Sequence, residues 1–117
     1  MTETIAVLGA GSWGTALAIQ LARNELQVRL WGHDPAHIER LQTLRENTDY
    51  LPGFALPENI DPVATLEAAV AQAPFLLIAI PSKGFRALLK QVKLLITEVQ
   101  ALFWASKGFE IETGMLL

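Results

Sequence analysis

The sequence predicts an α/β fold, a doubly wound and mostly parallel sheet with helices on both faces, on three observations. Short apolar runs rich in β-formers alternate with longer helical patterns, the signature of βαβ units. A glycine-rich segment, "GAGSWG" at 9–14, stands between the first such run and the first helical pattern. The run "PFLLIAIP" at 74–81 is apolar nearly throughout, as a parallel strand covered on both faces must be.

Each element has its own justification. Ile5 to Leu8 is the first strand, and "SWGTALAIQLARN" at 12–24 sets Leu17, Leu21 and three alanines on one broad face, so a helix follows. "QVRLW" at 27–31 alternates polar and apolar, as a strand does. Asp34 before Pro35 is a helix start, with Ile38, Leu41 and Leu44 continuing it at helical spacing. Three prolines and a glycine between Asn47 and Pro62 predict a long irregular loop. "VATLEAAVAQA" at 63–73 reads as a helix, leaving room for a very short strand near Pro62 and Val63. A helix is expected from Phe85 to Ile96 and a last strand at Ala101 to Ala105, with "ETGMLL" at the end opening another helix. The strand order expected is 3-2-1-4-5.

Composition narrows the functions available. With 117 residues, 51% of them apolar, the chain is read as one soluble globular domain with no internal boundary. It has no cysteine, which removes disulfides and thiolate metal sites, and no metal site is expected. A net charge of −3 without a basic run argues against nucleic acid or an anionic membrane as partner. No apolar stretch approaches the ~20 residues that span a bilayer, and the start lacks a signal-peptide pattern. A cytoplasmic protein is expected.

The motif that carries chemistry is G-x-G-x-x-G at Gly9, Gly11 and Gly14, in the strand-turn-helix context that makes it informative. Gly9 would permit the tight turn, Gly11 the approach of a pyrophosphate, and Gly14 close packing of helix on strand, a Rossmann-type arrangement. The N–H groups of Ser12 and Trp13 would then face the phosphates. Cofactor choice is expected at the end of the second strand, where an acidic residue normally takes the ribose. This chain has Trp31, Gly32, His33 and Asp34 there. His33 with Arg29 nearby would favour NADP, and Asp34 would favour NAD unless it serves as a helix cap, so both cofactors stay open.

"SKGF" occurs twice, at 82–85 and 106–109. Both copies follow a strand, where ligands bind in open α/β sheets, but their flanks share little, so this is not a repeat. Lys83 or Lys107 could each polarise a substrate carbonyl, and spacing alone does not choose between them.

The segments "GAGSWGTALA", "LWGHDP", "N..YLPG..LP.NI", "IAIPS..FR" and "ASKG.E.ETG" together resemble the bacterial type of NAD(P)-dependent glycerol-3-phosphate dehydrogenase over the whole chain from Ile5 to Leu117. The resemblance implies hydride transfer between dihydroxyacetone phosphate and sn-glycerol 3-phosphate for glycerophospholipid synthesis, with NADP or NAD as cofactor. It implies that Gly9, Gly11, Ser12, Trp13, Gly14, His33, Tyr50, Pro81 and Lys107 contact the cofactor. Lys107 would also touch the substrate oxygen, Phe85 would shape the nicotinamide side, and Lys83 would be a bystander. It also implies that residues 1–117 are the N-terminal dinucleotide-binding domain of a truncated two-domain enzyme. The general base would lie in the other domain, with no catalytic residue in this one, so the 117 residues alone should bind cofactor weakly and turn nothing over. An apolar face toward the other domain is expected to be exposed, favouring self-association, and a homodimer is a possible partner state. Two alternatives remain at this point: a related two-domain dehydrogenase, and a nucleotide-sensing module without enzymatic activity.

Overall fold

In the computed structural model, which describes residues 3–80, 82–97, 100–106 and 110–114, the expected α/β architecture is present. The strands are β1 (Thr4–Leu8), β2 (Gln27–Trp31), β3 (Glu46–Asn47), β4 (Leu51–Ala55), β5 (Ile60–Val63), β6 (Phe75–Ile78), β7 (Ala101–Ser106) and β8 (Glu110–Gly114). The helices are α1 (Ser12–Arg23), α2 (Pro35–Leu44), α3 (Leu66–Val70) and α4 (Ser82–Leu95). The main sheet runs β5-β2-β1-β6-β7-β8. Its first five strands are parallel and in the order expected from sequence, with β1 between β2 and β6.

Two layers of side chains close the two faces. Ile5, Val7, Val28, Leu30 and Leu77 pack with Ala18, Ile19, Ile38 and Leu41 of α1 and α2. Ala6, Leu8, Leu76, Ile78 and Leu102 pack with Leu66, Ala69, Leu88 and Val92 of α3 and α4. Alternate residues of one strand thus serve opposite cores, which is why β1 from Ile5 onward and β6 are apolar at successive positions. Each fully buried leucine or isoleucine contributes about 1.5–3 kcal/mol.

Several expectations are corrected. The 47–62 segment is not irregular throughout: β3 and β4 form an antiparallel hairpin with a register shift between Glu46 and Asn47. Gly53, at φ 91°, sits in β4 with its N–H donating to Glu46 Oε2 at 3.1 Å. Pro62 lies inside β5, a position allowed because β5 is an edge strand, where a missing N–H leaves no neighbour unpaired. The helix expected over 63–73 contracts to the five residues of α3, capped by the Thr65 side chain accepting from Ala68 N–H. Helix α4 starts three residues early, at Ser82. The chain end does not open a helix at 112–114: Glu110–Gly114 returns antiparallel along β7, with Trp104 opposite Glu112. The two "SKGF" copies accordingly differ, since the first begins α4 while Ser106 of the second closes β7 and 107–109 lie outside the described residues.

Candidate functional site

The sheet is wound toward β2 from β1 and toward β7 from β6, so the crevice between the carboxyl ends of β1 and β6 is the switch point at which ligands bind in such sheets. Gly9 lies there, at φ 134°. Its N–H donates to Trp31 O at 2.7 Å, and Ala79 N–H donates to Leu8 O at 2.9 Å, so the ends of β2, β1 and β6 are laced together beneath the turn. A Cβ on Gly9 would fall 2.4 Å from Ala79 O, and one on Gly14 would fall 1.7 Å from Gly9 O. At Gly11, by contrast, a Cβ would meet nothing within 4 Å. The first and third glycines let backbone approach backbone, and the second borders open space.

Helix α1 begins at that open space. Gly11 is its N-cap, without a side-chain cap and with no acidic residue in the first turn. The first N–H groups of a helix point beyond its N-terminus, here those of Ser12 and Trp13, and the dipole adds positive potential. An anion placed over Gly11 would meet both, which is what a pyrophosphate requires.

The segment after β2 flanks the turn. Gly32 is buried, and a Cβ there would lie 2.9 Å from the Cβ of Ala10, so His33 emerges exposed immediately beside the glycine turn. Asp34 is the helix cap: its Oδ1 accepts from Ala36 N–H at 3.1 Å. Arg29, expected to stand ready for a 2′-phosphate, is engaged by α3 instead. Its Nη1 donates to the carbonyls of Ala68, Ala69 and Ala71 at the C-terminal end of α3. A cation there is favoured by the carbonyls and by the negative end of the helix.

Tyr50 is exposed, its ring edge-on to His37 with centroids 5.1 Å apart. What ties it to the turn is Asn47, a residue that sequence reasoning quoted but gave no role. Asn47 is completely buried. Its Nδ2 donates to Ala10 O at 3.0 Å and Thr15 Oγ1 at 2.7 Å, while its Oδ1 accepts from Tyr50 N–H at 3.2 Å and lies 3.0 Å from His37 Nε2. Asp49 Oδ2 stands 3.9 Å from His37 Nε2 and accepts from Arg40 at 2.6 Å. That hydrogen bond with Asp49 holds the Arg40 guanidinium above its ordinary pKa. Two of these bonds fix the chemistry of the others: a backbone N–H can only donate, and a carbonyl can only accept, so the Asn47 amide has one possible orientation. His37 must therefore carry hydrogen on Nε2. We expect a slowly exchanging imidazole N–H assigned to His37 Nε2 in ¹H–¹⁵N spectra; a bare Nε2 would show the amide orientation to be wrong.

The structure thus brings Gly9, Gly11, Ser12, Trp13, Gly14, His33 and, through Asn47, Tyr50 to one edge. Phe85 is half-buried against Trp104, ring centroids 5.8 Å apart, next to the end of β6. Pro81 and Lys107 lie outside the described residues, as does the side chain of Lys83. Among the described residues no group of histidine, cysteine, aspartate and glutamate side chains is arranged to hold a metal ion, and no helix is long and apolar enough to cross a membrane.

Residues 4–117 match the family described as NAD-dependent glycerol-3-phosphate dehydrogenase N-terminus. The glycerol-3-phosphate dehydrogenase (NAD(P)+) of Shewanella sediminis is 47% identical over 116 residues, covering 99% of this chain and 34% of that protein. The enzyme of the same name from Yersinia pestis is 48% identical over 114 residues, again 34% of its length. Among solved structures, glycerol-3-phosphate dehydrogenase from Coxiella burnetii superposes with a TM-score of 0.87 at 38% identity, over 92% of this chain and 33% of that one. The Saccharomyces cerevisiae enzyme superposes at 0.82 with 25% identity, over 99% and 37%. The chain spans about a third of the length of the curated relatives it matches.

Proposed function

Because the chain belongs to the NAD-dependent glycerol-3-phosphate dehydrogenase N-terminal family, we propose that it is the dinucleotide-binding domain of an enzyme that interconverts dihydroxyacetone phosphate and sn-glycerol 3-phosphate. The observation that carries the reading is the contrast among the three glycines: two are closed by backbone, and the third opens on the end of a helix without cap or acid. That is the shape and potential a pyrophosphate needs.

The nicotinamide cofactor, when bound, supplies the hydride. This chain's residues orient it. Gly11, Ser12 and Trp13 would hold the pyrophosphate by their N–H groups, and His33 would meet the adenosine ribose beside the turn. With Arg29 occupied at α3 and Asp34 as a cap, His33 is the side chain left to greet a 2′-phosphate, while the acidic residue after β2 is engaged with the start of α2. This fits use of either NADP or NAD. Tyr50, Pro81 and Phe85 would border the cofactor, and Lys107 would donate to the substrate oxygen, where an ammonium stabilises the charge that develops as hydride adds to or leaves carbon. The proton balancing that oxygen is assigned to a second domain. A cytoplasmic location and a homodimer extend the same proposal. Leu44, Tyr50, Phe54 and Leu94, each more than half exposed, are side chains that a second domain or a second copy would cover.

Titration with NADH and NADPH in parallel, read by tryptophan fluorescence, tests the binding reading; saturable binding supports it and no response to either would end it. In the complete two-domain enzyme, Lys107→Ala is expected to lower kcat about a hundredfold with cofactor affinity much less changed. Undiminished turnover would remove Lys107 from the substrate.

A further inference from the structure

We infer that Asn47 is a positioning residue for the cofactor: it fastens the β3–β4 hairpin to the glycine turn, so that the pyrophosphate cradle and the Tyr50 segment are set as one unit. The inference rests on the dinucleotide reading above and adds a residue and a coupling to it.

The argument starts from saturation. A side-chain amide has two donor hydrogens and two acceptor sites. At Asn47 both hydrogens are spent on the glycine turn and its helix, at Ala10 O and Thr15 Oγ1, and both acceptor sites on the hairpin side, at Tyr50 N–H and His37 Nε2–H. The side chain is fully buried, so no water substitutes for a lost partner. Ala10 is the residue between Gly9 and Gly11, so the amide sets the tilt of a peptide inside the cradle itself. Thr15, also fully buried, sits in the first turn of α1, whose N–H groups define the anion site. On the other side, Tyr50 N–H is held three residues on from Asn47, which fixes where the exposed Tyr50 ring can lie.

No other hydrogen bond from a side chain of the hairpin reaches the glycine turn among the described residues. Hydrophobic packing of Leu51 and Leu56 holds the hairpin to the sheet, but packing tolerates sliding that a four-point amide does not. Asparagine is also the residue type the site demands. Aspartate would keep the shape and both acceptor contacts, yet turn a carboxylate lone pair on the Ala10 carbonyl, which can only accept. Thr15 could rotate to donate; Ala10 could not. The predicted damage of Asn47→Asp is therefore a displaced turn rather than a lost core.

The test compares the wild-type chain with Asn47→Asp, Asn47→Ala, Tyr50→Ala and Asn47→Asp combined with Tyr50→Ala. Circular dichroism sets the folded fraction, and NADH affinity is measured where each variant is folded. Asn47→Asp is expected to weaken NADH binding by the folded protein about tenfold or more. Tyr50→Ala is expected to weaken it in the wild-type background but hardly further in the Asn47→Asp background, since the ring is no longer placed. Such coupling is what a double-mutant cycle isolates, and a purely structural role would not produce it. An unchanged affinity in folded Asn47→Asp, or equal Tyr50→Ala effects in both backgrounds, overturns the inference. If Asn47→Asp and Asn47→Ala do not fold, Thr15→Ala, which removes one partner of the amide inside α1, carries the same cycle with the same two outcomes. Failure of the wild-type chain to bind NADH would instead overturn the dinucleotide reading, and the inference with it.

Discussion

Gly14→Ala is expected to destabilise the chain by about 3 kcal/mol or more, a large share of the stability of a typical domain. In an ordinary helix the substitution would stabilise, since alanine is the better helix former by about 1 kcal/mol. Here the added Cβ would lie 1.7 Å from Gly9 O and 2.8 Å from its carbonyl carbon. Neither atom can yield. Gly9 is held on one side by its N–H bond to Trp31 O, and on the other the space where a Cβ of Gly9 would stand is already taken by Ala79 O. Helix α1 would have to lift from β1, uncovering Thr15, Ala18, Ile19 and Ala22. Urea denaturation followed by circular dichroism measures this, and a midpoint close to that of the wild type would show that the turn has slack.

Gly11→Ala should do the opposite, leaving stability within about 0.5 kcal/mol while weakening dinucleotide binding at least tenfold. Gly11 has φ −79° and ψ −167°, extended backbone that any residue adopts. Its Cβ would enter empty space, which is the volume assigned to the pyrophosphate. A methyl group there separates the N–H groups of the first turn from the phosphate oxygens. Wild-type affinity for both NADH and NADPH in this variant would mean that the anion sits elsewhere. The two variants together divide the glycine motif into a part that builds the fold and a part that waits for a ligand.

The strand order and the glycine turn were legible because their signals are local: an apolar run covered on both faces, a helix-start pair at Asp34 and Pro35, and glycines between strand and helix. What escaped the sequence depends on partners far along the chain. β3 has two residues, too few for a period to be read, and its hairpin contains Pro52 and Gly53, which read as loop. Asn47 and His37 acquire meaning only when Ala10 and Thr15 are brought against them. Arg29 looks like a free cation until α3 presents its carbonyls, some forty residues on. Within Glu110 to Gly114 only Glu-Ile-Glu alternates, too short a run to choose between helix and strand, and pairing with β7 decides. Lys107 rests on the resemblance of its surroundings to a family pattern, since it lies outside the described residues.

The position of β1 in the middle of the sheet also has a consequence for synthesis. One edge of β1 finds β2 at once, but its other partner, β6, begins at Phe75. At about 5–20 residues per second, the intervening stretch of chain takes on the order of seconds to emerge from a ribosome. Throughout that interval Ile5, Ala6, Val7 and Leu8 offer an unpaired apolar ladder to anything nearby. The nascent chain is therefore most exposed to misassociation before residue 75, and a chaperone that binds extended apolar segments would find its target there during synthesis rather than in the finished molecule.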